Sequence, residues 1–210
     1  MRIVSGTLRG RRLTAPKGRT TRPTSDKVRE ALFSILHDRT HGARVLDCYA
    51  GTGALGLEAI SRGAKLAVFV ESDRDATHAL RQNVAQLGVE DRTRVLTFDA
   101  KRLGAPLVDK YGAFDLVLMD PPYDRVDEAL LVGRRLAELG AVAPDGLWVL
   151  EHADAGPPPE APPGWHVVRR RGYGKTMLSF FAPGESDGDD EIEIEEATRD
   201  HNAQDDDREG

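Results

Sequence analysis

From Arg44 onward the chain repeats one unit: a short apolar run, a polar or glycine-rich turn, then a stretch with apolar residues at helical spacing. Val45-Leu46-Asp47-Cys48-Tyr49 reads as a first strand, followed by a helix from Ala54 to Arg62 that Gly63 closes. Leu66–Val70 is the second strand, with a helix from Asp73 to Leu87 closed by Gly88. Arg94–Phe98 and Phe114–Met119 are strands three and four, a helix runs from Val126 to Leu139, and Leu147–Leu150 is strand five. Strands that are apolar throughout, alternating with helices, need cover on both faces, and a parallel sheet between two helical layers provides it. The alternation then stops. After the proline-rich stretch 156–164 come two extended runs, Trp165–Val168 and Thr176–Phe181, with only Arg169 to Lys175 between them. That connection is too short for a helical crossover, so the two runs are expected to pair antiparallel. The expected fold is α/β, a mostly parallel seven-stranded sheet with an antiparallel C-terminal strand.

The two ends differ from this middle and from each other. Residues 1–22 hold seven cations (Arg2, Arg9, Arg11, Arg12, Lys17, Arg19 and Arg22) and no acid. Turn residues at Ser5-Gly6 and Pro16-Lys17-Gly18 suggest a small basic hairpin or arm there, not a helix. Thr24, Ser25 and Asp26 then offer N-caps for an amphipathic helix whose apolar face is Val28, Ala31, Leu32, Ile35 and Leu36. Residues 185–210 hold 13 acidic and 2 basic residues and no aromatic. Such a composition buries too little to order itself and is expected to stay disordered. The net charge of −6 therefore hides a balance of 27 basic against 22 acidic residues in positions 1–184. Three parts are expected: an arm at 1–22, a main domain at 23–184 and an acidic tail at 185–210. Polyphosphate is the commonest partner for an arm of unopposed cations.

Cys48 is the single cysteine and sits in an apolar run, so it reads as a small buried hydrophobe without an intrachain disulfide. There is no apolar run of 18 residues, and Met1-Arg2-Ile3-Val4-Ser5 lacks the apolar stretch of a signal peptide. A soluble cytoplasmic protein is expected, and no metal is called for.

The first strand runs into Asp47, then Gly51, Gly53 and Gly56, where a helix begins. Glycines at this place make a sharp strand-to-helix turn and let a ligand approach the backbone. Glu71 ends the second strand, 20 positions after Gly51, where a carboxylate can accept the ribose hydroxyls of an adenosine. The glycine spacing alone also matches a dinucleotide fingerprint, which leaves an NAD-dependent oxidoreductase open. Two features favour S-adenosylmethionine instead. Asp47 would repel a pyrophosphate but suits a positively charged amino group, and too little chain follows strand four for a second substrate domain. Asp99, at the end of strand three, reads either as a residue near the adenine or as a helix or turn cap.

Strand four delivers Asp120-Pro121-Pro122-Tyr123 to the same edge. The prolines fix φ and lack amide donors, which leaves carbonyls free to face the site. Asp120 can accept a hydrogen bond from an exocyclic amino group, drawing its lone pair out of conjugation with the ring. Tyr123 offers an aromatic face to a base taken out of its stack. The chemistry implied is in-line transfer of a methyl group from sulfonium to nitrogen, dominated by positioning.

With these residues in view, the chain resembles the bacterial small-subunit ribosomal RNA guanine-N2 methyltransferases over residues 1–183. The likeness is carried by the stretches 2–11 and 22–33, by the Asp47–Ala59 loop and helix, by Val70-Glu71, and by Asp120-Pro121-Pro122-Tyr123. It implies a Rossmann-like class I methyltransferase domain acting on one guanine of 16S rRNA late in small-subunit assembly. It also implies that Asp120 and Tyr123 address the guanine, while Asp47, Gly51, Gly53 and Glu71 hold S-adenosylmethionine. Arg22, Thr24 and Arg29, where the arm meets the first helix, are expected substrate contacts, with a cap and two surface arginines as the alternative. The acidic tail departs from the family pattern and could compete with RNA for the basic arm. Protein-glutamine methyltransferases use a similar loop but usually carry Asn at the position of Asp120. DNA adenine methyltransferases need a target-recognition insert for which there is no room. A non-catalytic RNA-binding module would not need Asp47, Glu71 and the Asp120 tetrad together.

Overall fold

A computed structural model describes residues 1–16, 25–185 and 193–196, the last four by backbone alone. Among them, eight strands form one sheet: β1 (Arg44–Cys48), β2 (Leu66–Val70), β3 (Thr93–Leu96), β4 (Phe114–Met119), β5 (Val142–Ala153), β6 (Trp165–Tyr173), β7 (Thr176–Pro183) and β8 (Glu193–Glu196). Their order is β3-β2-β1-β4-β5-β7-β6-β8. The first five pair in parallel, and β7 lies antiparallel between β5 and β6. These seven strands are the expected sheet. β8 is an addition: where a disordered tail is expected, Glu193–Glu196 pair in parallel with β6. The remainder of that tail after Glu185 lies outside the described residues.

Two apolar layers hold the sheet. On one face, Val45, Phe69, Leu118, Val149 and Phe180 pack against α1 (Asp26–Leu36), α2 (Ala54–Ser61) and α3 (Arg74–Leu87). On the other, Leu46, Val68, Val117, Trp148 and Phe181 meet α4 (Ala105–Tyr111) and α5 (Val126–Glu138). Helix signals set several boundaries. The Ser25 side chain accepts the Val28 amide at 3.2 Å, and the Asp73 side chain accepts the Ala76 amide at 2.9 Å. Gly88 closes α3 with a φ of 67°, a left-handed turn that costs other residues energy. The sequence reading passes over α4, whose seven residues are too few for periodicity to register, although Pro106 in its first turn is a start signal. Strand three ends at Leu96, not Phe98, so Asp99 follows a short irregular link.

Residues 1–13 form a hairpin bound into the body of the protein; residues 17–22 of the expected arm lie outside the described residues. The Ile3 amide donates to the Arg11 carbonyl at 2.9 Å and the Gly10 amide to the Ile3 carbonyl at 2.9 Å. Ile3 and Leu13 are buried in the same layer as α1 and α2. Beneath the hairpin lies Glu58, a carboxylate with no exposed surface on a helix that is apolar apart from it and Ser61. It accepts the Val4 amide at 2.7 Å, the Ser5 amide at 2.9 Å and Arg62 Nε at 2.9 Å. Arg29, equally buried, approaches Glu58 through Nε at 3.7 Å, and its guanidinium donates to the Arg2 carbonyl at 2.6 Å. One buried ion pair thus fastens the N-terminal hairpin to two helices. Replacing one member of such a pair leaves an uncompensated charge, which costs about 3–5 kcal/mol. Glu58→Ala is therefore expected to lower unfolding free energy by about that amount, whereas exposed Arg9→Ala should change it by under about 0.5 kcal/mol. Urea denaturation of both variants checks this, and equal midpoints would contradict the anchoring role.

Candidate active site

The strand order reverses direction between β1 and β4, and a ligand crevice is expected outside the carboxyl ends at that switch point. Register aligns Cys48 with both Val70 and Met119. Tyr49, Glu71 and Asp120 are therefore the next residues out of three adjacent strands, which lie about 4.8 Å apart.

The loop after β1 is held by carboxylates. Asp47 is buried, and its Oδ2 accepts the Gly56 amide at 2.8 Å. Helix α2 starts with Gly53 as N-cap, which has no side chain to cap it. Asp47 supplies from the strand the acceptor that an N-cap side chain would otherwise provide. Glu71 braces the other side, accepting the Gly51 amide at 2.7 Å and the Asp73 amide at 2.7 Å. The glycines divide into two kinds. A Cβ on Gly53 would come within 2.3 Å of Leu80 Cδ1, and one on Gly56 within 2.3 Å of Phe69 Cε1, so both are required by internal packing. Gly51, with a φ of 54°, faces open space, as a ligand-facing position must.

The Asp120 loop leaves β4 beside this turn. Pro121 is buried, while Tyr123 is 46% exposed, with its hydroxyl 3.3 Å from Thr176 Oγ1 at the start of β7. Asp120 lies near enough to Asp47 for its charge to be felt there. Burial first, then the charges of Asp120 and Glu71, push the Asp47 pKa up to about 8, against the pull of the Gly56 amide. Three carboxylates thus converge on the crevice.

Local pattern gave no warning of a polar network around this crevice. Tyr49 adopts a φ of 60°, rare for a residue with a side chain, and its hydroxyl donates to Glu128 at 3.2 Å. Glu128 also pairs with Arg125, and with Lys101 at 2.9 Å. The Asp99 side chain caps a short turn through the Lys101 amide at 3.0 Å and lies 3.6 Å from both Lys101 Nζ and Arg125. The network ties the ends of β1, β3 and β4 together. Asn83, buried on the apolar face of α3, does the same for the hairpin. Its amide donates to the carbonyls of Thr52, at 3.0 Å, and Thr14, at 3.1 Å. A large polar amide on a face otherwise made of apolar residues and Thr77 was the readable signal for it.

The expected substrate contacts fare differently. Arg22 and Thr24 lie outside the described residues. Arg29 has no exposed surface, so direct contact with a substrate is corrected to an internal role beneath the hairpin. Cys48 is buried and its thiol pKa is pushed up by that burial, as suits an inert core residue.

A family model described as Conserved hypothetical protein 95 matches residues 1–182. The chain belongs to this family. It is 36% identical over 194 residues to the Escherichia coli K12 protein named Ribosomal RNA small subunit methyltransferase D, an alignment covering 90% of this chain and 94% of that protein. It is 30% identical over 183 residues to the protein of the same name from Haemophilus influenzae, covering 86% of this chain and 93% of that one. The solved structure of a hypothetical protein from Thermus thermophilus superposes with a TM-score of 0.70 at 34% identity, covering 86% of this chain and 98% of that chain. Among the described residues, no helix is long and apolar enough to cross a membrane.

The raised pKa of Asp47 has a consequence for stability. The folded state binds the proton more tightly than the unfolded chain, so this contribution is complete below pH 3.8 and is lost as pH rises through about 8. Asp47→Asn keeps an acceptor for the Gly56 amide and removes the titration. Between pH 5 and pH 9 the melting temperature of the ligand-free protein is expected to fall more than that of the variant. Parallel curves would show that Asp47 is not held protonated.

Proposed function

We propose that the chain transfers a methyl group from S-adenosyl-L-methionine to the exocyclic N2 amino group of a guanine in 16S ribosomal RNA. The substrate is the RNA within the small ribosomal subunit or an assembly intermediate, in the cytoplasm. One observation supports the reading most: the acid-braced glycine loop and the Asp120-Pro121-Pro122-Tyr123 loop leave adjacent strands in register. The ribosomal substrate rests on relatives matched over nearly their whole length. Guanine rests on the family resemblance.

The crevice suits a cationic adenosyl ligand better than a dinucleotide. The pKa of Asp47 is raised partly because like charges crowd it. A pyrophosphate would add to that repulsion, whereas a sulfonium and an ammonium would relieve it. Gly51 leaves open space for such a ligand. On this reading Asp47, Gly51 and Gly53 shape the place of the methionine end, Glu71 meets the ribose hydroxyls, and Asp99 lies near the adenine. When bound, S-adenosylmethionine supplies an electrophilic methyl on a positively charged sulfur, itself a good leaving group.

The residues of the chain act by orientation. Asp120 accepts a hydrogen bond from the amino group, which turns the nitrogen lone pair out of the ring and along the line of attack, and the nitrogen sheds a proton once it carries the methyl group. Pro121 and Pro122 fix the loop that carries it and offer no competing amide donors. Tyr123 stacks on the extruded base, steadied by the Thr176 hydroxyl. The exposed cations of the hairpin, Arg9 and Arg12 among them, meet phosphates and set affinity without reading sequence.

Asp120→Ala is expected to bind S-adenosylmethionine within about threefold of wild type while methyl transfer falls about tenfold or more, since its hydrogen bond matters chiefly during attack. Calorimetry and labelled methyl incorporation separate the two, and unchanged turnover removes Asp120 from the reaction. Tyr123→Phe keeps the ring and should retain most activity, unlike Tyr123→Ala. Because Ile3 and Leu13 are core residues, the arm is tested by charge and not by deletion. Arg9→Gln combined with Arg12→Gln should weaken RNA binding and flatten its salt dependence by about 0.7–0.9 for each phosphate no longer neutralised, with donor affinity unchanged. If the donor affinity fell instead, the hairpin would belong to the cofactor site.

A further inference from the structure

We propose that the acidic strand β8 acts as a strap on the basic strand β6, and that RNA competes with it for that strand. The proposal rests on the reading of RNA as substrate. It starts from β8: Arg169, Arg170, Arg171 and Gly172 of β6 stand in parallel register with Glu193, Ile194, Glu195 and Glu196. Three consecutive arginines thus pair, backbone to backbone, with a stretch in which three of four residues are acidic. Without β8, β6 would be the edge of the sheet, with unpaired amides and carbonyls open to any added strand.

The location matters as much as the charge. β6 is antiparallel to β7, and β7 is antiparallel to β5, so β6 runs in the direction of the parallel strands. Its arginine end therefore reaches the carboxyl edge of the sheet, where the Asp120 loop emerges. The turn at Gly174-Lys175 follows, then Thr176, whose hydroxyl meets that of Tyr123 at 3.3 Å. β8 runs the same way, so its Glu196 end points to the catalytic edge.

The faces agree. Arg169 is paired with Phe180 and Arg171 with Leu178, both members of the layer that includes α1 and the N-terminal hairpin. Paired residues share a face, so these two arginines lie on the hairpin side of the sheet. Arg170 belongs to the opposite side, where it donates to the Pro159 carbonyl at 2.7 Å. The hairpin and β6 thus form two basic elements on one side, and the acidic strand takes the second of them. Four residues on a sheet edge pair weakly, and a tethered segment acts at about millimolar effective concentration, so the strap reduces apparent RNA affinity without abolishing it.

The test uses the full chain, a variant with both Ile194→Pro and Glu195→Pro, which removes an amide from each alternate set and so cannot pair with β6, and the combined Glu193→Gln, Glu195→Gln and Glu196→Gln variant. Hydrogen exchange of the amides at 193–196 reports docking, and binding of in vitro transcribed 16S RNA reports competition. Wild type should protect the alternate amides of 193–196 that face β6, and the proline variant should not. Both variants should bind the RNA about fivefold or more tightly at low salt, with the gap closing as salt rises. Adding Arg169→Gln and Arg171→Gln should erase the difference between wild-type and altered tails. Amides unprotected in wild type, or equal RNA binding by all three proteins, would overturn the strap and leave the substrate reading intact. Absence of RNA binding from all three would overturn both.

Discussion

The hydrogen bond from the Gly56 amide to Asp47, at 2.8 Å, is the constraint on which the site depends. Helix α2 begins directly over the crevice, and it begins with a glycine because the N-cap adopts a left-handed φ of 82° and a side chain there would also meet Leu80. A helix start without a cap exposes amide donors that need an acceptor. Asp47 provides one from inside the sheet, at the cost of burying a carboxylate beside Glu71 and Asp120. The same residue therefore shapes the turn and holds a proton that a cationic ligand would displace, so that its negative charge appears only when such a ligand is bound.

A second set of contacts makes the N-terminal hairpin part of this arrangement. Glu58 and Arg29 anchor it to α1 and α2, and Asn83 joins its far end at Thr14 to Thr52 of the glycine loop. The cationic surface of the hairpin is thereby fixed relative to the loops at the carboxyl edge. On the proposed function, a polyanion is registered while one base meets the reactive centre, and a rigid mount serves that better than a free arm, because misplacement by about 1 Å costs about a hundredfold in rate.

What the sequence showed and what it hid follow from range. Apolar strands, helix caps at Ser25 and Asp73, and the left-handed closure at Gly88 are local, and all were readable. Asp47, Glu71 and Asp120 were legible as a group because parallel strands bring their carboxyl ends to one edge. The fate of Arg29 was not, since an arginine on an amphipathic helix looks solvated until its partner Glu58, 29 positions away, is known. The network of Tyr49, Asp99, Lys101, Arg125 and Glu128 likewise joins the ends of three strands and has no spacing of its own. Glu58 and Asn83 did leave a trace, each a polar residue on an apolar helix face. β8 left only composition, which argued for disorder. An edge strand that borrows its pairing from β6 needs little intrinsic propensity.

The central claim is that the two loops at the switch point together methylate an amino group of ribosomal RNA. Its most direct test offers the purified protein methyl-labelled S-adenosylmethionine with small ribosomal subunits, free 16S RNA, duplex DNA and bulk protein in parallel, followed by nucleoside analysis of the labelled fraction. The account predicts label in the RNA, recovered as N2-methylguanosine and lost in the Asp120→Ala variant. Label in DNA or protein with none in RNA would contradict it.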